Sequence, residues 1–94
     1  MATYTAPLRD LRFVYEELFD AGEITALQDY EDATPDLVNA IVEEGAKLCQ
    51  NELFPLNHSG DEEGCHFDNG NVRTPKGFRS AYATYREGGW GGLS

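Results

Sequence analysis

Apolar positions along this chain fall into three runs of helical period, separated by polar stretches rich in turn residues. Leu8, Leu11, Val14, Tyr15, Leu18 and Phe19 recur at the spacing of one helical face. Pro7 suits the first helical position, where its missing N–H costs nothing, with Thr5 or Ala6 as the cap. The pattern predicts a helix over roughly 7–20, ended by Gly22, then a short helical turn around Glu23 to Gln28 and an acidic loop from Asp29 to Ala33.

The second run has the clearest start. Thr34 can cap the orphan amides, Pro35 fits the first turn, and Asp36 complements the helix dipole. Leu37, Val38, Ile41, Val42, Gly45, Leu48, Cys49 and Leu53 form a broad apolar stripe, predicting a helix over 35–54 that Pro55 stops. Gly45 costs roughly 1 kcal/mol against Ala in a helix interior, so it is expected at a close helix–helix crossing.

Between Leu56 and Arg73 the period changes. Asp68-Asn69-Gly70-Asn71, set between short extended pieces, predicts a small β-hairpin near 65–73. A third helix is expected over 75–87, started by Thr74-Pro75 and stopped by Gly88, with Phe78, Ala81, Tyr82 and Tyr85 on one face. The predicted fold class is all-α: about three helices and one small hairpin, in a single domain spanning 1–94. A chain this short buries only roughly 60–65% of its unfolded surface, so its core is thin unless something else covers it.

Charge narrows the class of partner. The net charge is −10, and between Phe13 and Ala46 there are ten acidic residues and no Lys or Arg. A phosphate-backbone partner requires clustered cations, so nucleic acid is excluded as a partner. The acidic block is a solvated face; its alternative is a docking face for a basic surface. No uninterrupted apolar stretch is long enough to span a bilayer, so no membrane partner is expected. Two cysteines make no disulfide framework and no secretory signal opens the chain, which fits free thiols in a reducing cytoplasm.

Several groupings invite a chemical reading, and each has a plainer one. Cys65-His66, with Cys49 and His58, lacks the paired short spacings of a zinc site. Asp61-Glu62-Glu63 followed by Asp68 resembles a calcium loop only in charge: its sixth position is His66, not Gly, and an acidic loop is expected. A Cys/His nucleophilic pair has no accompanying oxyanion-hole signature. Gly88-Gly89-Trp90-Gly91-Gly92 lacks the Lys of a phosphate loop and reads as a turn that lets Trp90 pack. Phe78, Tyr82, Tyr85 and Trp90 have the helical spacing of core, with a ligand pocket as the alternative. No residue is assigned a catalytic, cofactor-binding or metal-binding role.

Tyr4 to Asp10, Asp32-Ala33-Thr34-Pro35-Asp36-Leu37, Pro55-Leu56-Asn57 and Gly60 through Leu93, taken in order, add a family likeness. The chain resembles the N-terminal region of acyl-CoA dehydrogenases of the N-terminally extended, 3-methylmercaptopropionyl-CoA dehydrogenase-like type. The resemblance implies an FAD-dependent flavoprotein of fatty acid metabolism, an oxidoreductase in which a Glu takes the α-proton of an acyl-CoA thioester while the β-hydride passes to the flavin. It also implies that a middle β-domain and a C-terminal helical bundle supply the base and most flavin contacts. The remaining domains of that parent enzyme are then the expected partners, and this chain alone is expected to bind no FAD and to be inactive. The alternative is an autonomous acidic helical module that binds another protein. Either way, the apolar helix faces predict a homodimer, with the acidic block at its rim or in solvent.

Overall fold

The computed structural model describes residues 3–93, which fall into two compact units that divide between Lys47 and Leu48. Helices dominate both, and a two-stranded antiparallel hairpin is the sheet structure among the described residues.

In the first unit, α1 covers Leu8–Arg12 and widens into a π-helical turn over Phe13–Leu18. The helix starts one residue later than expected. Pro7 occupies the cap position without a side-chain cap, and the carbonyls of Ala6 and Pro7 accept from the amides of Leu8 and Leu11 at 2.8 and 3.0 Å. Phe19, not Gly22, ends the helix, because its backbone turns extended (φ −114°, ψ 133°). Gly22 instead lies inside a second short helix, α2 (Ala21–Thr25), which begins two residues before the expected turn. The reason is a local cap: the Asp20 carboxylate accepts from the Gly22 amide at 2.9 Å. The acidic loop then folds back through successive turns, and the Thr25 hydroxyl donates to the Ala33 carbonyl at 3.0 Å.

The expected start of the second helix holds. α3 spans Pro35–Leu48, and the Leu37 amide donates to the Thr34 hydroxyl oxygen at 3.3 Å. Burial along it is shallow: Val38, Ile41 and Val42 are half-buried, Leu37 is exposed, and Ala46 alone falls to 6% exposure.

The second unit corrects the expectation at Pro55. A π-helical turn over Cys49–Leu53 is followed at once by α4 (Phe54–Glu63), so helical structure continues past the proline. Proline is tolerated there because it falls in the first turn of α4, where an amide has no obligatory helical partner. The expected acidic loop of Asp61, Glu62 and Glu63 is therefore the last turn of α4. Carboxylates at a helix C-terminus oppose the dipole. Two of them find partners: Glu62 pairs with His58 at 3.2 Å, and Glu63 accepts from the Lys76 amide at 2.8 Å.

The hairpin forms where expected, with β1 (His66–Asp68) and β2 (Asn71–Arg73) in register His66 to Arg73, Phe67 to Val72 and Asp68 to Asn71. Its turn places Asn69 and Gly70 at φ of 51° and 84°, the pairing of positive angles that a two-residue hairpin loop requires. The last helix, α5, is Phe78–Glu87, three residues shorter at its start than expected. Gly77 sits at φ 92° and blocks helical geometry before it, so Thr74-Pro75 belongs to a turn closed by the Phe78 amide on the Pro75 carbonyl at 3.3 Å. Gly88 caps α5 as expected, and a 3-10 turn over Trp90–Gly92 follows.

Candidate functional site

Two close approaches position an apolar cleft of the second unit. A Cβ at Gly60 would lie 2.5 Å from Phe78 Cζ, so the glycine on α4 leaves room for the aromatic ring of α5. A Cβ at Gly77 would lie 2.7 Å from Leu56 Cδ2, so the residue that starts α5 also admits a leucine of α4. Between the two helices is a cleft of about 380 Å³, lined by Leu53, Leu56, Asn57, Phe78, Ala81, Tyr82 and Tyr85. Tyr82 and Tyr85 stack with centroids 6.2 Å apart and planes inclined by 27°.

This arrangement settles the two readings of the aromatic residues unevenly. Ala81 is core, at 5% exposure, whereas Tyr82 is 64% exposed and Phe78 is also exposed. Phe78, Tyr82 and Tyr85 line the cleft; Trp90 is not in its lining and packs instead against Gly88, where a Cβ would lie 2.8 Å from its Nε1. Among the described lining residues there is no Asp, Glu, His, Cys, Lys or Arg. The cleft can bury apolar surface and offer an amide and two phenols, but it has no general base, nucleophile or anion clamp.

The first unit holds a polar cluster that periodicity did not reveal. Asn39 stands on α3 between the apolar positions Val38 and Ile41. Its Oδ1 accepts from the Tyr15 hydroxyl and from Arg12 Nε at 3.3 Å, and its Nδ2 donates to Glu16 Oε1 at 2.8 Å. Arg12 also faces Glu43 at 3.7 Å. A cleft of about 300 Å³ opens beside the cluster, lined by Leu8, Arg9, Arg12, Tyr15, Asn39, Val42 and Glu43. One amide thus joins the α1 and π-turn side chains to α3, which is the work of a tertiary clasp. A polar residue interrupting an apolar stripe was the signal available in the sequence.

The remaining candidates stay apart. Cys49 is half-buried in a π-helical turn, Cys65 is exposed just before β1, and both are free thiols. His58 is on α4 and His66 opens β1. No group of three or more His, Cys, Asp or Glu able to hold a metal occurs among the described residues. The Lys47 ammonium is held above its usual range, first by its 2.9 Å hydrogen bond to Glu44 and then by the charges of Glu44 and Glu43. That pair lies in solvent on α3 and adds no chemistry to either cleft.

No protein-family model matches the chain. Curated relatives do. The chain is 38% identical over 92 residues to 3-methylmercaptopropionyl-CoA dehydrogenase of Ruegeria pomeroyi, covering 98% of this chain and 16% of that enzyme. It is 32% and 33% identical over 92 residues to two butyryl-CoA dehydrogenases of Syntrophomonas wolfei, covering 94% of this chain and 15% of each enzyme. The chain is homologous to the N-terminal part of acyl-CoA dehydrogenases. It spans about 15–16% of the length of these relatives.

The stretches that carry the acyl-CoA dehydrogenase likeness are mainly structural in position. Asp32 to Leu37 contains the cap of α3, and Pro55-Leu56-Asn57 is the first turn of α4 and one wall of the aromatic cleft. Gly60 through Leu93 holds both glycine approaches, the hairpin, α5 and the 3-10 turn. No helix among the described residues is long and apolar enough to cross a membrane.

Proposed function

We propose that this chain is an N-terminal structural domain of an FAD-dependent acyl-CoA dehydrogenase, acting in α,β-dehydrogenation of acyl-CoA thioesters only as part of the longer enzyme. The observation that carries the proposal is the pairing of near-complete coverage of this chain with only 15–16% coverage of its dehydrogenase relatives. The chemistry of the aromatic cleft agrees with it. An acyl-CoA dehydrogenase needs a carboxylate base over the substrate and positive charge for a flavin diphosphate, and neither a carboxylate nor a cation is among the described residues lining the aromatic cleft.

FAD, which supplies hydride acceptance when bound, is therefore assigned to the remainder of the polypeptide. This chain contributes shape: α4 and α5 present an apolar face, and the Asn39 clasp fixes α1 against α3. The test compares the purified chain with the full-length product of the same reading frame. The chain is expected to be colourless and inactive with acyl-CoA and an artificial electron acceptor, and the native product several times longer. Stoichiometric flavin absorbance in the chain, turnover by it, or a native product ending at Ser94 would overturn the proposal.

A further inference from the structure

Two neighbouring surfaces of the second unit meet at Tyr82. On one side is the aromatic cleft between α4 and α5, with no charged side chain among its described lining residues. On the other, Arg79, Tyr82, Ala83 and Arg86 stand at i, i+3, i+4 and i+7 of α5, the spacing of one helical face, and with Glu87 they border a cleft of about 410 Å³. Tyr82 lines both clefts, so apolar and cationic surface are continuous there. Neither guanidinium has an ion pair among the described residues, although the chain carries 17 acidic side chains.

The two arginines dictate the form of what covers them. Seven residues at ~1.5 Å each place them about 10 Å apart along the α5 axis. A helix alongside α5 spans that distance in seven residues of its own, two turns that return to the same face. A strand spans it in about three residues, and positions three apart point to opposite faces. A helix therefore sets two carboxylates against both guanidiniums from one side, and a strand does not. A wholly apolar partner would strip water from two unpaired charges, so the flank that meets them is acidic. The chain spans only 15–16% of the length of its dehydrogenase relatives, so most of such an enzyme lies outside these 94 residues.

We infer that the Arg79–Tyr82–Arg86 face of α5, with the aromatic cleft beside it, docks an amphipathic helix of acidic flank from the remainder of the same polypeptide. The apolar side of that helix enters the cleft over Phe78 and Tyr82, and two carboxylates two turns apart pair with Arg79 and Arg86. The cleft supplies the apolar area, and the arginines fix the register along α5. The contact draws only on α4 and α5 of the second unit. It rests on the dehydrogenase proposal in one respect: the helix lies in polypeptide beyond Ser94.

Cross-linking in the full-length product of the reading frame tests it. Arg86→Lys keeps the charge and adds a primary amine, which a zero-length carbodiimide joins to a paired carboxylate. Peptide mapping is expected to place the join at an Asp or Glu beyond Ser94, in a segment of helical apolar spacing. A join confined to residues 1–94, within one copy or between two, overturns the inference, as does no join at all. Tyr82 of the native full-length product should also be nitrated by tetranitromethane about fivefold more slowly than in Arg79→Gln/Arg86→Gln, because two surface ion pairs shift a docking equilibrium by about that factor. Equal rates overturn the inference too. A long, flavin-bearing product with equal rates and no join beyond Ser94 removes the docked helix and leaves the dehydrogenase proposal standing, whereas a native product ending at Ser94 removes both.

Discussion

The ring of Phe78 occupies the space that a side chain at position 60 would need: a Cβ there would lie 2.5 Å from Cζ and 2.7 Å from Cε1. Gly60 is buried and lies inside α4, where Ala would normally be favoured by about 1 kcal/mol. Overpacking costs about 1–3 kcal/mol, so the clash outweighs the propensity. Gly60→Ala is expected to destabilise the second unit by about 1 kcal/mol. In a Phe78→Ala background the same change should become neutral or stabilising. A double-mutant cycle by urea denaturation checks the change of sign, and an equal cost in both backgrounds would disprove the wedge.

Gly77 faces a different constraint. Its φ of 92° is costly for any L side chain, and a Cβ would also meet Leu56 Cδ2 at 2.7 Å. Gly77→Ala should lose about 1–3 kcal/mol from backbone strain alone. Pairing it with Leu56→Ala should recover only the steric part. Thermal unfolding followed at the α-helical circular dichroism band measures both; full recovery in the double variant would show that strain is absent.

Asn39 is expected to be the most sensitive polar position of the first unit. Asn39→Ala removes bonds to Tyr15, Arg12 and Glu16 together, and half-buried hydrogen bonds are worth about 0.5–1.5 kcal/mol each. A loss of about 1–3 kcal/mol is expected, with Tyr15→Phe costing less. The two changes should be non-additive in a cycle. Additive losses would mean that the Tyr15 hydroxyl does not act through Asn39.

The thiols should differ in accessibility rather than in pairing. Cys65 is exposed and should react with a disulfide reagent at once in native buffer, while half-buried Cys49 should react more slowly. Denaturation without reductant should then bring the total to two. A total of zero in monomer would establish an internal disulfide.

Local rules were legible where one side chain acts on its own backbone. Thr34-Pro35-Asp36 announced α3, and Asn69-Gly70 announced the hairpin turn, because caps and positive-φ turns are decided within four residues. Pro55 was misleading for a physical reason. A π-helical turn shifts the bonding ladder, and the proline then falls at a helical start, a change that apolar spacing does not encode. Thr74-Pro75 carried a start signal that Gly77 overrode three residues later. Spacing showed that Phe78, Tyr82 and Tyr85 share a face, but not that Tyr82 stays open on it, because coverage depends on what lies opposite. The Asn39 clasp was hidden because its partners are 23 to 27 residues away.

The hairpin shows what a ribbon with no buried side chain entails. Every residue of β1 and β2 is exposed, and the cross-strand pair Phe67 and Val72 is open to solvent at 75% and 67%. Two strands without a covering layer are marginal in water, so this ribbon depends chiefly on its turn and its ladder. Its amides therefore exchange with solvent deuterium through their own local opening, on a faster clock than the amides of α4 and α5, and a protease that needs an extended substrate meets its first opportunity between Cys65 and Arg73.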